Sequence, residues 1–585
     1  MEAKSAKIRD IISPGTRHRI PFFQRPYKWG KDEWERFFED MVSTMTIQKN
    51  YFLGSIILKK EEDISESEEA EGIGSKYLVI DGQQRLTTLC IFMKILHYLS
   101  GPFNRNQFNV QYLQGEAKNT NLKHNTVDRI MFEKIMRDET LPMELDGNSQ
   151  MAKAYNYFRN RFEEIDRINY EPLLNSIYRR IYFVLITLQE TEDEQQIFDT
   201  INSLGRPLSI DELLKNFLYN KEEYEDVYRS NWQPLFDRDT DFWGTDAASD
   251  KSAKGDTMMD RFLHAFVRIK MWDYKDSTNG SRKLSEYERK AFVKKENIFS
   301  TCKSFVNDFG ASRQELANEI IAYGRIFKDK FNDDSILEDK LPSHSCVERI
   351  IFLMKALKRY DMLPYVLYVL KNSVEEEQRQ IFDYLERYVI RRMIAGFNDN
   401  SYSDLFSEQL IGAAHAITAE LFKQHIKRRE GVLAMPSNFD VENGILGKDA
   451  EKTSGVIYYM YETKRVENNM SGFNDYDTYP LMPKPSTRVN TADWPVLQRQ
   501  EEEQHRKDQI KTIGNYFLLI NENKRQLNKV NNKAFDEKKR CWLNCTSNIT
   551  SSYQMIRTLT SWDVNNIENR NNSFARKWAE ETWNI

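Results

Sequence analysis

Apolar positions in the first 220 residues follow two different periods. The β-rich runs YFLGSIIL (51–58), YLVI (77–80) and IYFVLITL (181–188) lie among segments whose apolar residues recur at helical spacing, which predicts an α/β region. From about residue 225 to 430 the spacing is helical almost throughout, as in MMDRFLHAFVRIKMW, CVERIIFLMKALKRY and QIFDYLERYVIRRMI. The remainder mixes a helix-like VIYYMYETKRV, a turn segment YPLMPKPS, a charged run QRQEEEQHRKDQ and the run IGNYFLLINENKRQLNKVNNKAF, a separate small α+β unit. The expected fold class is therefore α+β and predominantly helical, in three parts: 1–225, 226–375 and 376–585. Two polar, aperiodic stretches, 61–75 and 237–256, read as surface loops, and no solenoid-type repeat interrupts the pattern.

Composition narrows the class without choosing a function. A chain of 585 residues exceeds one core, and 40% hydrophobic with 30% charged residues is the balance of a folded chain rather than a disordered one. No run approaches the roughly 20 apolar residues that a membrane span needs, and MEAKSAKIRD lacks the apolar centre of a signal peptide, so a cytoplasmic protein with no membrane partner is expected. The five cysteines (Cys90, Cys302, Cys346, Cys541, Cys545) are scattered except for CWLNC and encode neither a disulfide framework nor a local four-ligand zinc site. A net charge of -5 argues against coating nucleic acid by average charge alone and leaves room for a local basic face.

Candidate chemistry concentrates where a strand becomes a helix, in YLVIDGQQRLTTLCIFMKILHYL. Asp81, Gly82, Gln83, Gln84, Arg85, Thr87 and Thr88 stand at that junction. A helix start presents unpaired N–H groups and positive dipole, glycine admits a close backbone approach, and arginine adds a bidentate phosphate donor. The same spacing also suits a tight turn with a capped helix start, and it is not a Walker A loop. A second segment, EDEQQIFDTINSLGRPLSIDELLKNFLY, puts Asp199 and Asn202 on one helical face; Gly205 suits a helix end, and Ser209 with Glu212 a capping box, which leaves Asp199, Asn202 and Arg206 without a structural reason. A third, IPFFQRPYKWGKDEWERFFEDM, offers Gln24, Arg25, Tyr27 and Trp29 for a polar pocket, with Phe22, Phe23 and Trp34 assigned to the core.

Taken in order and at these separations, IPFFQRPYKW, YFLGSIIL, YLVIDGQQRLTTL and FDTINSLGRPLSIDELLKN resemble the N-terminal domain of GmrSD-type type IV restriction proteins, itself similar to the ParB/sulfiredoxin-like fold, over roughly residues 8–220. In the wider ParB-like group a Gly-x-x-Arg motif at a helix start holds nucleotide phosphates, and Gly82 to Arg85 matches it. The resemblance implies that Gly82, Gln83, Gln84, Arg85, Thr87, Asn202 and Arg206 bind a nucleoside triphosphate, that Asp81 and Arg85 take part in hydrolysis with Mg2+, and that Gln24, Arg25, Tyr27 and Trp29 form a sensing pocket for modified DNA.

From about residue 380 the chain resembles the second half of the same fused proteins, an HNH-type ββα-metal nuclease preceded by helices, through LERYVIRRMIAG, IYYMYETKR and IGNYFLLINENKRQLNKVNNKAFDEKK. Asn515, Asn523, Phe535 and Lys538 fall on the pattern, and the resemblance makes Asn515 and Asn523 catalytic candidates. An HNH nuclease uses a histidine, in a Glu-His-Ile-x-Pro context, to deprotonate water beside a divalent metal. Here TYPLMPKPS puts Tyr479 and Pro480 where that Glu-His pair would stand, and proline carries no titratable group. His505, in EEEQHRKDQ, is the nearest substitute, and Arg488, Arg499, Arg506, Lys511, Lys524 and Arg525 offer phosphate contacts. The sequence thus leads to an NTP-binding defence protein acting on DNA with a degenerate HNH-like module, which acts alone, as a homo-oligomer or with a partner defence subunit. Two alternatives stay open: an active metal-dependent endonuclease, and a non-enzymatic DNA-binding scaffold.

Overall fold

The computed structural model describes residues 2–61, 69, 72–115, 118–188, 209–244, 257–274, 284–332, 334–343, 346–397, 401–427, 433–465, 469–484, 493–495, 497–546 and 548–585. The chain is predominantly helical, with an N-terminal mixed sheet, and divides into two compact units, Met1–Trp232 and Gln233–Ile585. The expected divisions 226–375 and 376–585 therefore fall almost wholly within the second unit.

In the first unit the strands are β1 (Glu2–Lys7), β2 (Thr16–Arg19), β3 (Tyr51–Glu61), β4 (Ser75–Asp81), the two-residue ribbon β5 (Leu113–Gln114) and β6 (Asn119–Thr120), then β7 (Leu122–Lys123) and β8 (Ile181–Leu188). Its longer helices are α1 (Lys31–Thr46), α2 (Gln83–Leu99), α3 (Pro102–Tyr112), α4 (Thr126–Arg137), α5 (Gln150–Glu163), α6 (Tyr170–Arg180) and α7 (Ile210–Leu218). The sheet order is β1-β8-β3-β4-β2-β7, with β1–β8 and β3–β4 antiparallel and β3–β8, β2–β4 and β2–β7 parallel. The three apolar runs read from sequence become β3, β4 and β8. β1 and β2 were not legible, because EAKSAK and TRHR carry no apolar alternation; β8 and β4 recruit them as neighbours.

α2 is the spine of this unit. Leu86, Leu89, Cys90, Phe92, Met93 and Leu96 are all buried, and Phe92 meets Phe37 and Phe38 of α1 and Phe158 and Phe162 of α5. A helix apolar on every side is packed on every side. That rigidity fixes its first turn, where the candidate residues stand.

The second unit is built of helices, among them α8 (Met258–Asp273), α9 (Arg313–Phe331), α10 (Cys346–Leu357), α11 (Leu363–Asn372), α12 (Glu375–Ala395), α13 (Asn438–Gly447) and α14 (Ser454–Glu462). Then come β9 (Tyr476–Pro480), α15 (Gln500–Ile510), β10 (Tyr516–Ile520), α16 (Lys524–Val530), α17 (Phe535–Asn544) and α18 (Val564–Arg576). β9 and β10 pair antiparallel, Pro480 opposite Tyr516, and a core of Phe517, Leu519, Leu527, Trp542, Trp562 and Ile567 closes over them. One expected loop is corrected: residues 237–256 do not begin as irregular chain, because Thr240–Gly244 forms a helical turn whose Trp243 is buried and donates to Leu235 O at 2.6 Å.

Candidate functional site

β4 ends at Asp81, and Gly82 turns the chain into α2 with a φ of +94°, a left-handed conformation that glycine adopts without strain. A side chain there would also collide with β3: a Cβ on Gly82 would lie 3.2 Å from Ser55 O and 3.1 Å from Ile56 Cγ1. Beside it, β3 is irregular. Its register against β8 slips between Phe52 and Ser55, and Gly54 takes a φ of +115°. Arg85 lies across this bulge, donates from Nη1 to Ser55 O, and places its Cζ 3.1 Å from where a Gly54 Cβ would stand. Its Nη1 is 4.0 Å from Asp81 Oδ2, and both side chains keep part of their surface in solvent, 30% and 24%. Sequence reasoning missed Gly54; the signal was a glycine inside an otherwise β-rich run.

The amides of Gln83, Gln84 and Arg85, in the first turn of α2, are beyond reach of any intrahelical carbonyl. The corner thus combines a helix start, an arginine held by its strand contact, two glycines that keep the backbone bare, and one carboxylate. It suits an anion, with Asp81 as the carboxylate able to meet a metal ion's charge.

Other residues proposed for this site are spent on holding it together. Gln84 is buried; its Oε1 accepts from Lys28 N at 2.9 Å and its Nε2 donates to Pro26 O at 3.2 Å. Thr87 donates to Gln83 O and meets His124 Nε2 at 3.0 Å, while burial pushes His124 down to about 3, so that ring is neutral. Neither side chain faces the corner as a nucleotide ligand would.

The four residues expected to form a polar pocket, Gln24, Arg25, Tyr27 and Trp29, are placed differently from one another. Gln24 is buried and donates to Val79 O at 2.8 Å and Ile80 O at 3.1 Å, locking the loop to the end of β4. Tyr27 is buried; its hydroxyl accepts from Trp34 Nε1 at 2.8 Å and bonds Thr88 Oγ1 at 2.7 Å, and burial raises its pKa. Trp29 packs edge-on against Phe37, half-buried at the core's margin. Only Arg25, half-buried, stays beside the corner: its carbonyl accepts from Gln83 Nε2 at 3.3 Å. α7 closes the loop from another side. Lys28 Nζ donates to Glu212 Oε1 at 3.2 Å and Ser209 N to Glu212 Oε2 at 3.1 Å, the expected capping geometry. Burial pushes the Glu212 carboxyl up, but the positive charges of Lys28 and Arg25 outweigh it and hold the group below its ordinary value. Asp199, Asn202, Gly205 and Arg206 lie outside the described residues.

In the second unit the catalytic candidate Asn515 is fully buried and saturated. Its Nδ2 donates to Met482 O at 2.8 Å and Ile510 O at 3.0 Å; its Oδ1 accepts from Met482 N at 2.9 Å and Trp562 Nε1 at 3.1 Å. That is a splice joining the end of β9 to β10, and it leaves no lone pair or proton for substrate. Gly514 before it is required by packing, since a Cβ would stand 2.4 Å from Asn571 Oδ1 and 2.6 Å from Ile567 O. Lys538 is buried between Trp494 and Trp542 and donates to Leu481 O at 2.8 Å, and burial drives its pKa down to about 7. Phe535 contributes to the same core. Asn523 begins no strand or long helix; its backbone lies in a short 3-10 turn, Asn521–Asn523.

Pro480 takes the last position of β9, and His505 pairs with Glu568 of α18 at 2.7 Å on an exposed surface. Of the proposed phosphate contacts, Arg506 is buried against Glu503 and Pro495 O, and Arg499 and Lys511 pair with Glu502 and Asp508; Arg488 lies outside the described residues. LERYVIRRMIAG is also structural: Glu386 binds Arg349 at 2.7 Å, both almost fully buried, and Arg391 donates to Pro436 O, Ala579 O and Trp583 O. Among the described residues, no group of three His, Cys, Asp or Glu side chains is placed to hold a metal, and no helix is long and apolar enough to cross a membrane.

Residues 8–219 match the family described as GmrSD restriction endonuclease, N-terminal domain. The match spans most of the sheet, the Asp81–Arg85 corner and α7, and includes no residue of the second unit. No curated protein matches the chain.

Proposed function

We propose that the first unit is a nucleotide-binding module of a restriction-type defence protein that acts on DNA, and that the corner from Asp81 to Arg85 holds the phosphates of a nucleoside triphosphate with Mg2+. One observation carries the reading: Arg85 is laid over a bulge that only glycine permits, at the open first turn of a rigid helix, with Asp81 beside it. In this reading the amides of the first turn and Arg85 bind phosphate oxygens, Asp81 orients the hydrated metal, and Arg25 adds positive charge at the rim. A bound metal ion would supply charge neutralisation at the phosphates. The match to a restriction endonuclease domain supports the defence role and DNA as the substrate class.

The second unit, on the same reading, is a scaffold of HNH-like ancestry rather than a working nuclease. Pro480 replaces the base, and Asn515 and Lys538 are occupied within the fold. Equilibrium binding of ATP and GTP with Mg2+ tests the proposal. Arg85→Ala should weaken binding by about tenfold or more, the worth of a charged hydrogen-bonding partner. Unchanged affinity, or no binding by the wild-type chain, overturns it.

A further inference from the structure

The loop that carries Arg25 and Lys28 is gripped from a side that the sequence motifs do not include, the start of α4. Asn125 caps that helix, its side chain accepting from Asp128 N at 3.2 Å, and its Nδ2 donates to Gln24 O at 3.1 Å. Asp128, in the first turn, accepts from Tyr27 N through Oδ2 at 2.7 Å. The two contacts fasten the backbone on either side of Arg25 and Pro26, a stretch that carries no ladder hydrogen bonds of its own. A buried carboxylate accepting a backbone N–H is an expensive arrangement, and a neutral side chain of the same shape would hold the amide without desolvating a charge.

We infer that Asp128, with Asn125, is a positioning residue that fixes the Gln24–Lys28 loop so that Arg25 and the Arg25 carbonyl stand against Gln83 at the α2 start. The inference rests on the nucleotide reading only for its effect on affinity; the hold on the loop stands by itself. Removing the acceptor leaves Tyr27 N unpaired in a buried place, so the loop rather than the core gives way, because Gln84 and Thr88 still hold the Tyr27 side and the next residue.

The test uses the full chain with Asp128→Ala, Asp128→Asn and Asn125→Ala. It reads two quantities: amide hydrogen exchange of the peptide covering residues 21–30, and affinity for ATP or GTP with Mg2+. Asp128→Ala should speed exchange there about tenfold and weaken nucleotide affinity about tenfold, whereas Asp128→Asn, which keeps an oxygen acceptor and sheds the buried charge, should exchange no faster than wild type and hold affinity within about twofold. Equal behaviour of the Ala and Asn variants, or exchange in 21–30 unchanged by Asp128→Ala, overturns the inference. So does a loosened loop with unaltered affinity in a chain whose Arg85→Ala variant has lost it. If the wild-type chain binds neither nucleotide, the nucleotide reading falls and the exchange contrast alone decides for or against the hold on the loop. Should Asp128→Ala fail to fold, Asn125→Ala supplies the loosened state against which Asp128→Asn is compared.

Discussion

At the start of α2, Asp81, Gln83 and Arg85 keep part of their surface in solvent, whereas around the β9–β10 pair Asn515, Lys538 and Arg570 keep almost none. Both regions carry polar residues in motif-like spacing. In the first unit the inner members of the motif are engaged, Tyr27 with Thr88 and Gln24 and Gln84 with backbone groups of β4 and the loop, and this lacing leaves Arg85 and Asp81 part-exposed on a fixed frame. In the second the polar side chains are turned inward: Asn515 makes four hydrogen bonds, and Arg570 donates to Gly514 O and lies 3.6 Å over the Phe517 ring. A polar motif can therefore be a splice or a site, and what separates the two is whether its polar groups still reach solvent or are enclosed among backbone partners.

The largest effect expected from that contrast is at Asn515. Asn515→Ala would strand Met482 N, Trp562 Nε1 and two carbonyls in a buried place, a loss of about 3–5 kcal/mol in denaturant unfolding, while Arg85→Ala should cost less than about 1 kcal/mol of stability. A reversed order would erase the distinction between splice and site.

Asp128 sharpens the comparison through pH, because the lacing of the first unit includes a carboxyl that burial pushes up to about 6 against the opposing effect of the Tyr27 N–H. The folded chain holds that proton more tightly than the unfolded chain, whose group titrates near its ordinary 3.8. Its contribution to stability is therefore full below the unfolded value and is lost as pH rises through about 6. Asp128→Asn cannot titrate, so its stability relative to wild type should rise by up to about 3 kcal/mol from strongly acidic to neutral pH. Parallel stability profiles for the two proteins would refute the burial argument.

The smallest effect is at the bulge. Gly54→Ala puts a side chain at a φ of +115° and 3.1 Å from the Arg85 guanidinium, a strain of about 1–3 kcal/mol, and it should displace Arg85 and lower nucleotide affinity along with stability. Full affinity in this variant would show that the placement of Arg85 does not matter.

Much of this was legible in the chain. The apolar runs at 51–58, 77–80 and 181–188, the helix from Gln83 and the capping residues Ser209 and Glu212 follow from local periodicity and local hydrogen bonding, which a sequence encodes within a few residues. The junction at Asp81–Arg85 was visible because a glycine between a strand and a helix leaves few alternatives. The charged strands β1 and β2 were not, since their pairing depends on neighbours more than 50 residues away. Nor was the division between splice and site. Whether Gln24, Tyr27, Gln84, Asn515 and Lys538 meet solvent or a carbonyl is decided by which distant backbone groups the fold brings to them, Val79 and Ile80, Pro26, Met482 and Leu481 among them. By itself the sequence determined the residue types and the local elements that carry them. Only the tertiary structure decided which polar groups were used up, because hydrogen-bond satisfaction is a property of long-range neighbours and not of spacing along the chain.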